Sequence, residues 1–274
     1  MAQSRGYQRM GPMDNALVGV AAGTIEVTML QPILYWKNAA QQNMPFTLNP
    51  KFLYRGLSTS IVNMSVLTGL QFPLTGMVTN AITAGTPRKL TANETIFAAL
   101  TGGTLSGIAC GPMELVMIQQ QRFGGSIFST PARIVSECGI GGLGRGLSMS
   151  MGREGCYTAG VLGVCPVLTE ALEERGIGGG AGKMLAAIGA GVLAATLSHP
   201  LDTVKSCLQG DVARLEYTTT LEAFSALYAK AGWTRFFSGW HWRTGRMILA
   251  VGIMNECKST LSPLFFPKHF ADDQ

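Results

Sequence analysis

Arg153, Glu154, Arg243 and Arg246 stand in stretches that are otherwise poor in charge. An arginine guanidinium can grip a carboxylate with two parallel hydrogen bonds, and a glutamate can accept from an ammonium group. This is the chemistry of holding a charged solute. Nothing beside it points to bond-making. The chain shows no Ser-His-Asp set, no metal-ligand cluster and no Walker pattern. Gly178-Gly179-Gly180 follows no strand, so it reads as a flexible turn and not as a phosphate cradle. The six cysteines (Cys110, Cys138, Cys156, Cys165, Cys207 and Cys257) include no C-x-x-C pair, and they read as free thiols. The residues predict a binding protein with no catalytic residue, no metal and no cofactor. An enzyme is not expected.

Apolar helices must position these charges. Of the 274 residues, 47% are hydrophobic and only 14% charged, against about 25% charged in an average soluble domain. The mean hydropathy is +0.24. The net charge of +5 comes from 21 basic and 16 acidic residues, too thin a basis for a nucleic-acid partner. Residues 56–87 and 95–113 are free of charge, and 16–36 carry only Glu26. Runs of this length suit the roughly 20 residues that cross a bilayer. Shorter apolar runs cover 155–169, 184–201 and 247–255. Together they predict six helices near 14–43, 57–85, 92–122, 147–173, 181–210 and 240–264. Arg5 and Arg9 precede no apolar core, so the start of the chain does not read as a secretory signal. Lys51, Arg55, Arg122, Arg133, Arg145, Arg214, Lys230 and Arg235 fall in loops after odd helices, while the opposite loops hold Arg88, Lys89, Arg175 and Lys183. That bias puts the odd-to-even loops on the inner side. The four-residue spacings Gly19/Gly23 and Gly103/Gly107 predict close helix packing.

A threefold repeat carries more information than any single motif. The third copy runs from His199-Pro200-Leu201-Asp202 through Lys205 to Gln209, and Gly239 follows thirty residues later. The first has Pro32, Leu34, Lys37, Gln41 and Tyr54-Arg55-Gly56. The second has Pro112, Glu114, Met117, Gln121 and Gly144-Arg145-Gly146. The prolines are 80 and 88 residues apart, and the glycines 90 and 93. Seven residues past each glycine stand Asn63, Arg153 and Arg246.

Pro-x-acid-x-x-base, then Gln, then a loop ending in Gly, three times over six apolar helices, resembles the mitochondrial carrier family. The resemblance covers about 14–264. It implies an all-α membrane protein, with six transmembrane helices in three pseudo-symmetric two-helix repeats around a central cavity. The repeats would fall near 14–88, 89–175 and 176–266 of one domain spanning 1–274. It also implies helix kinks at Pro32, Pro112 and Pro200, where proline removes a helix hydrogen bond. In the family, the acid of one odd helix pairs with the base of the next to close an inner gate. That pattern pairs Glu114 with Lys205 and Asp202 with Lys37, braced by Gln41, Gln121 and Gln209. The third pair is replaced by Leu34 and Met117. Losing one partner strands a charge, whereas losing both is cheap. By the same logic, losing Lys37 or losing Asp202 is expected to be equally harmful.

Other positions depart from the family. Ala39, Gln119 and Cys207 replace a second base, and the 14 residues between Gln41 and Gly56 leave no room for the usual loop helix. The outer-gate acids would fall near Gly76, Pro166 and Ser259, so that gate is absent or out of register. The resemblance implies that Asn63, Arg153, Glu154, Arg243 and Arg246 line the cavity as solute contacts. An Arg-acid dipeptide on the fourth helix resembles carriers of amino acids and related zwitterions. His199 reads as structural. Glu26 reads equally as a cavity group or as a helix–helix hydrogen bond.

The expected function is therefore solute transport by alternating access across the mitochondrial inner membrane. The solute would be a carboxylate-bearing small metabolite, with amino acids or their derivatives favoured. The expected partners are that solute and membrane lipid, including cardiolipin. The competing reading is a non-transporting protein of carrier fold, serving as a structural subunit among the other subunits of an inner-membrane complex.

Overall fold

In lipid a backbone must satisfy its own hydrogen bonds, and the apolar stretches do so as helices. The computed structural model describes residues 11–84, 86 and 88–267. Arg5 and Arg9, and with them the expectation about a signal segment, lie outside the described residues. In chain order the helices are α1 (Pro12–Gln41), α2 (Pro50–Leu53), α3 (Leu57–Thr83), α4 (Ala92–Phe123), α5 (Ser129–Cys138), α6 (Leu147–Thr158), α7 (Cys165–Glu174), α8 (Gly179–Gly210), α9 (Thr220–Ala231) and α10 (Trp240–Phe265). A π-helical turn, Ala159–Val164, joins α6 and α7 into one rod. Among the described residues there is no strand. The fold is all-α, as expected.

Among the described residues, five stretches are long and apolar enough to cross a membrane: Leu17–Gln41, Pro50–Thr83, Ala92–Phe123, Ile140–Glu174 and Gly179–Gly210. The sixth expected span is α10. Its 26 residues reach about 39 Å. Its hydropathy is lower because it carries His241, Arg243, Arg246, Glu256 and Lys258. It packs between α8 and α1, and so closes a ring of six rods that follow one another in chain order.

The repeat is visible in three glycines. Gly56, Gly146 and Gly239 start α3, α6 and α10 with φ of 79°, 72° and 78°, a left-handed conformation that favours glycine. Each lies against the next odd helix at the same motif position. A Cβ on Gly56 would come within 3.2 Å of the Met117 carbonyl, on Gly146 within 3.5 Å of the Lys205 carbonyl, and on Gly239 within 3.0 Å of the Lys37 carbonyl. Each even helix thus enters beside the base position of the following repeat.

Close packing holds for one of the two expected glycine pairs. A Cβ on Gly103 or Gly107 would run into Thr158 or Met151 of the α6 rod. Gly19 and Gly23 are different, because a Cβ there would meet nothing within 4 Å. Spacing alone did not reveal that α1 makes its contacts at that height through other residues, such as Val18 against Leu261 and Phe266.

After the second and third odd helices, α5 and α9 lie in the odd-to-even loops and bury Ile134 and Leu227. The first loop holds only four-residue α2, which buries Leu53 beside Tyr35 and Ala39. Asp211 organises the third loop. Its carboxylate accepts the backbone N–H groups of Leu215, Glu216 and Tyr217 at 2.8–2.9 Å. Burial alone would raise its pKa, but the three amide donors and Arg145 outweigh burial and hold the carboxyl below its ordinary range. A depressed carboxyl contributes stability above the unfolded-state pKa, and that stability is lost as pH falls through the folded value. Asp211→Asn is therefore expected to lower the melting temperature at neutral pH, since a net hydrogen bond contributes about 1 kcal/mol. The gap to wild type should narrow below about pH 4. Melting curves between pH 7 and 3.5 check both statements.

Candidate functional site

Pro32, Pro112 and Pro200 all lie inside helices, in α1, α4 and α8. Past the second and third of them the chain is buried without interruption, from Glu114 to Gln121 and from Asp202 to Gly210. These segments, with the end of α1, form a charged plug. Lys37 Nζ meets Asp202 Oδ2 at 2.7 Å, and Lys205 Nζ meets Glu114 Oε2 at 3.2 Å. Lys205 also reaches Asp202 Oδ1 at 3.0 Å. Gln41 donates to Asp202 Oδ2 at 3.0 Å.

The other two glutamines do not touch an ion pair. Gln121 accepts from Asn38 at 2.6 Å, and Gln209 donates to Gly111 O and to Ser150 Oγ, both at 3.2 Å. Ser150 in turn donates to Glu114 at 3.2 Å, so Gln209 acts on Glu114 at one remove. Gln121 has no ion pair to brace, because Leu34 and Met117 carry no charge. Met117 sulfur instead takes the Ser60 hydroxyl at 3.1 Å. The α1–α4 seam is therefore closed by neutral groups. Position 119, without the family's base, joins α4 to α8: Gln119 donates to Gln209 O at 2.7 Å. Cys207 joins α8 to α1 by donating to Gln41 O at 3.1 Å.

Three expected solute contacts, Arg153, Glu154 and Arg243, lie in the plug. Arg153 pairs with Glu114 at 2.5 Å, contacts Glu154, and approaches Asp202 at 3.7 Å. Arg243 meets Asp202 at 3.3 Å and donates to Ser198 Oγ at 2.7 Å. Four cations (Lys37, Lys205, Arg153 and Arg243) thus share three carboxylates (Glu114, Glu154 and Asp202), leaving one net positive charge. Glu154 is fully buried under Arg153 and Gln71, so it is not open to a solute here. The sequence excess of three arginines over one acid does not survive, because Glu114, Asp202 and Glu26 supply partners from other helices.

Arg246 takes a different partner. Its Nη2 meets Glu26 Oε1 at 2.8 Å, tying α10 to α1. Glu26 is 2% exposed and its Oε2 accepts no hydrogen bond among the described residues. The Arg246 side chain is 26% exposed, and its Nε also makes none. Asn63, on α3, has its Oδ1 buried and unbonded. The Glu26–Arg246 pair was missed in the sequence, although Glu26 is the lone charge of 16–36 and so needed a partner. That α10 returns to α1 is what supplies it. His199 has a structural role, with Nε2 3.0 Å from the Ser238 carbonyl just before α10.

Comparison with known proteins agrees with this architecture. The family model described as mitochondrial carrier protein matches residues 179–269. An uncharacterised mitochondrial carrier of Schizosaccharomyces pombe is 27% identical, over 89% of this chain and 90% of its own. The tricarboxylate transport protein of Saccharomyces cerevisiae is 23% identical, over 89% and 92%. The mitochondrial basic amino acids transporter of Bos taurus is 29% identical, over 68% and 65%. Those matches, together with a ring of six rods in which three prolines, three glycines and the acid–base register repeat, make the chain similar to mitochondrial carriers along most of its length.

Proposed function

We propose that this protein carries a carboxylate-bearing small metabolite across the mitochondrial inner membrane by alternating access, with amino acids favoured. Similarity to mitochondrial carriers supports transport of a solute through a mitochondrial membrane. The substrate class, the inner membrane and the cycle are the proposal. The plug of Lys37, Glu114, Asp202 and Lys205, with Arg153 and Arg243, serves as the inner gate in its closed state. Gln41, Gln121 and Gln209 tie the same helix ends together.

The observation that carries the substrate reading is the Glu26–Arg246 pair. It is an ion pair inside a membrane protein, where ionisable groups are costly and mark functional sites. One oxygen and one nitrogen of the pair are unbonded, and the arginine is partly open. A solute carboxylate would take Arg246, and an amino acid's ammonium group would take Glu26. This moves the zwitterion site from the Arg153-Glu154 dipeptide to helices α1 and α10. Relatives named for tricarboxylate, 2-oxoglutarate/malate and basic amino acid transport span the same solute chemistry.

Thermal stabilisation of the purified protein by glutamate, 2-oxoglutarate, citrate and arginine tests this reading. A charge-assisted contact is worth about 1.5–3 kcal/mol, so Arg246→Ala should weaken binding roughly ten- to a hundredfold. Glu26→Gln should weaken glutamate more than 2-oxoglutarate. If no solute raises the melting temperature, the reading fails and the structural-subunit alternative replaces it. Phe46 and Leu48, 62% and 68% exposed on the shortened first loop, would then be the first surface to examine.

A further inference from the structure

We infer that Glu26 couples a proton to the movement of solutes that carry carboxylates but no ammonium group. The inference rests on the solute reading of the Glu26–Arg246 pair and goes beyond it.

Glu26 has one cationic partner, Arg246, at 2.8 Å. No other titratable side chain near it is free to replace that partner. α3, which packs on α1, has no titratable residue from 57 to 83. On α10, Arg243 is turned to Asp202 and Ser198. On α8, Lys205 is held by Glu114 and Asp202, and His199 by the Ser238 carbonyl. On α1 itself, Lys37 is held by Asp202. On α2, Lys51 is exposed. On α6, Tyr157 lies in the field of Glu26, Arg246, Arg243 and Glu154 but brings no positive charge.

A solute carboxylate that takes the Arg246 guanidinium therefore leaves Glu26 buried and without a counter-charge. A buried, unpaired carboxylate costs several kcal/mol, and protonation is the way out. The proton comes from the aqueous phase on the open side as Arg246 passes to the solute. It settles on the carboxyl, which already has one oxygen with no bond to lose. On the far side the solute leaves, Arg246 returns and the proton is released. No bond to carbon forms or breaks. One solute and one proton cross together. A solute with its own ammonium group neutralises Glu26 directly and needs no proton.

Glutamate and 2-oxoglutarate separate the two cases, because they share a carbon skeleton and two carboxylates and differ in the ammonium group. Uptake of each is measured in proteoliposomes with the membrane potential clamped, with and without a one-unit pH gradient, acid outside. For wild type, 2-oxoglutarate should accumulate inside about tenfold, the ratio a tenfold proton gradient sustains at one proton per solute. Glutamate should equilibrate without accumulation. Glu26→Gln should abolish the response of 2-oxoglutarate uptake to the gradient, and Glu26→Asp should keep it. Uptake of 2-oxoglutarate by wild type that ignores the gradient overturns the inference alone, whatever the variants do. Uptake of glutamate only overturns it as well, since Glu26 then serves the ammonium group. If neither these two solutes nor citrate nor arginine is taken up or stabilises the protein, the transport reading falls and the inference with it.

Discussion

Asp202→Ala is expected to destabilise the protein by about 3–5 kcal/mol, far more than Lys37→Ala, in melting curves of the purified protein. Pairwise logic from the sequence gives the two changes equal weight. The structure does not. Asp202 faces four cations, Lys37, Lys205, Arg243 and Arg153, at 2.7, 3.0, 3.3 and 3.7 Å. Removing it leaves those four charges with Glu114 and Glu154 alone, a net charge of plus two in a buried site. Removing Lys37 leaves three cations against three carboxylates. Asp202 would then keep Lys205, Arg243 and Gln41. Lys37→Ala should therefore be the milder change, and Asp202→Ala with Lys37→Ala should recover part of the loss. Equal destabilisation by the two single changes would mean that Asp202 is held by Lys37 alone.

Much of the fold was legible in the sequence because lipid imposes a simple rule on it. An apolar run of about 20 residues crosses lipid as a helix, and the expected spans match α1, α3, α4, the α6–α7 rod, α8 and α10 to within a few residues. The repeat was legible because Pro, Gly and the acid–base spacing each answer a backbone or charge requirement that recurs three times. The pairs Lys37–Asp202 and Glu114–Lys205 follow from that register.

What was not legible depends on distance in space rather than along the chain. Arg153 stands seven residues past its glycine, as Arg246 and Asn63 do, yet it reaches Glu114 on α4 while Arg246 reaches Glu26 on α1. Repeat position alone gave all three one role. The neighbouring odd helix decides, because Glu114 belongs to the plug and Glu26 does not. Asn38–Gln121 was invisible for a related reason: the motif marks charges, and this seam is closed by two amides.

In the proposed cycle, the plug at the ends of α1, α4 and α8 has to open for a solute to cross. Locking it should abolish transport altogether. Gln42 and Gly210 are suited to the lock. They sit at the ends of α1 and α8, and a Cβ on Gly210 would lie 3.1 Å from Gln42 Cδ. That places the two positions side by side, so cysteines there lie within reach of a short bifunctional methanethiosulfonate, which bridges them through a disulfide to each. In a background with the six native cysteines replaced by serine or alanine, Gln42→Cys with Gly210→Cys is reconstituted, and uptake of labelled glutamate and 2-oxoglutarate is measured before and after reduction. Uptake should be absent while the reducible cross-link is intact and should return on reduction to the level of the cysteine-free parent. Equal uptake by the cross-linked and reduced forms, with the cross-link verified by mass, would mean that the plug does not have to open.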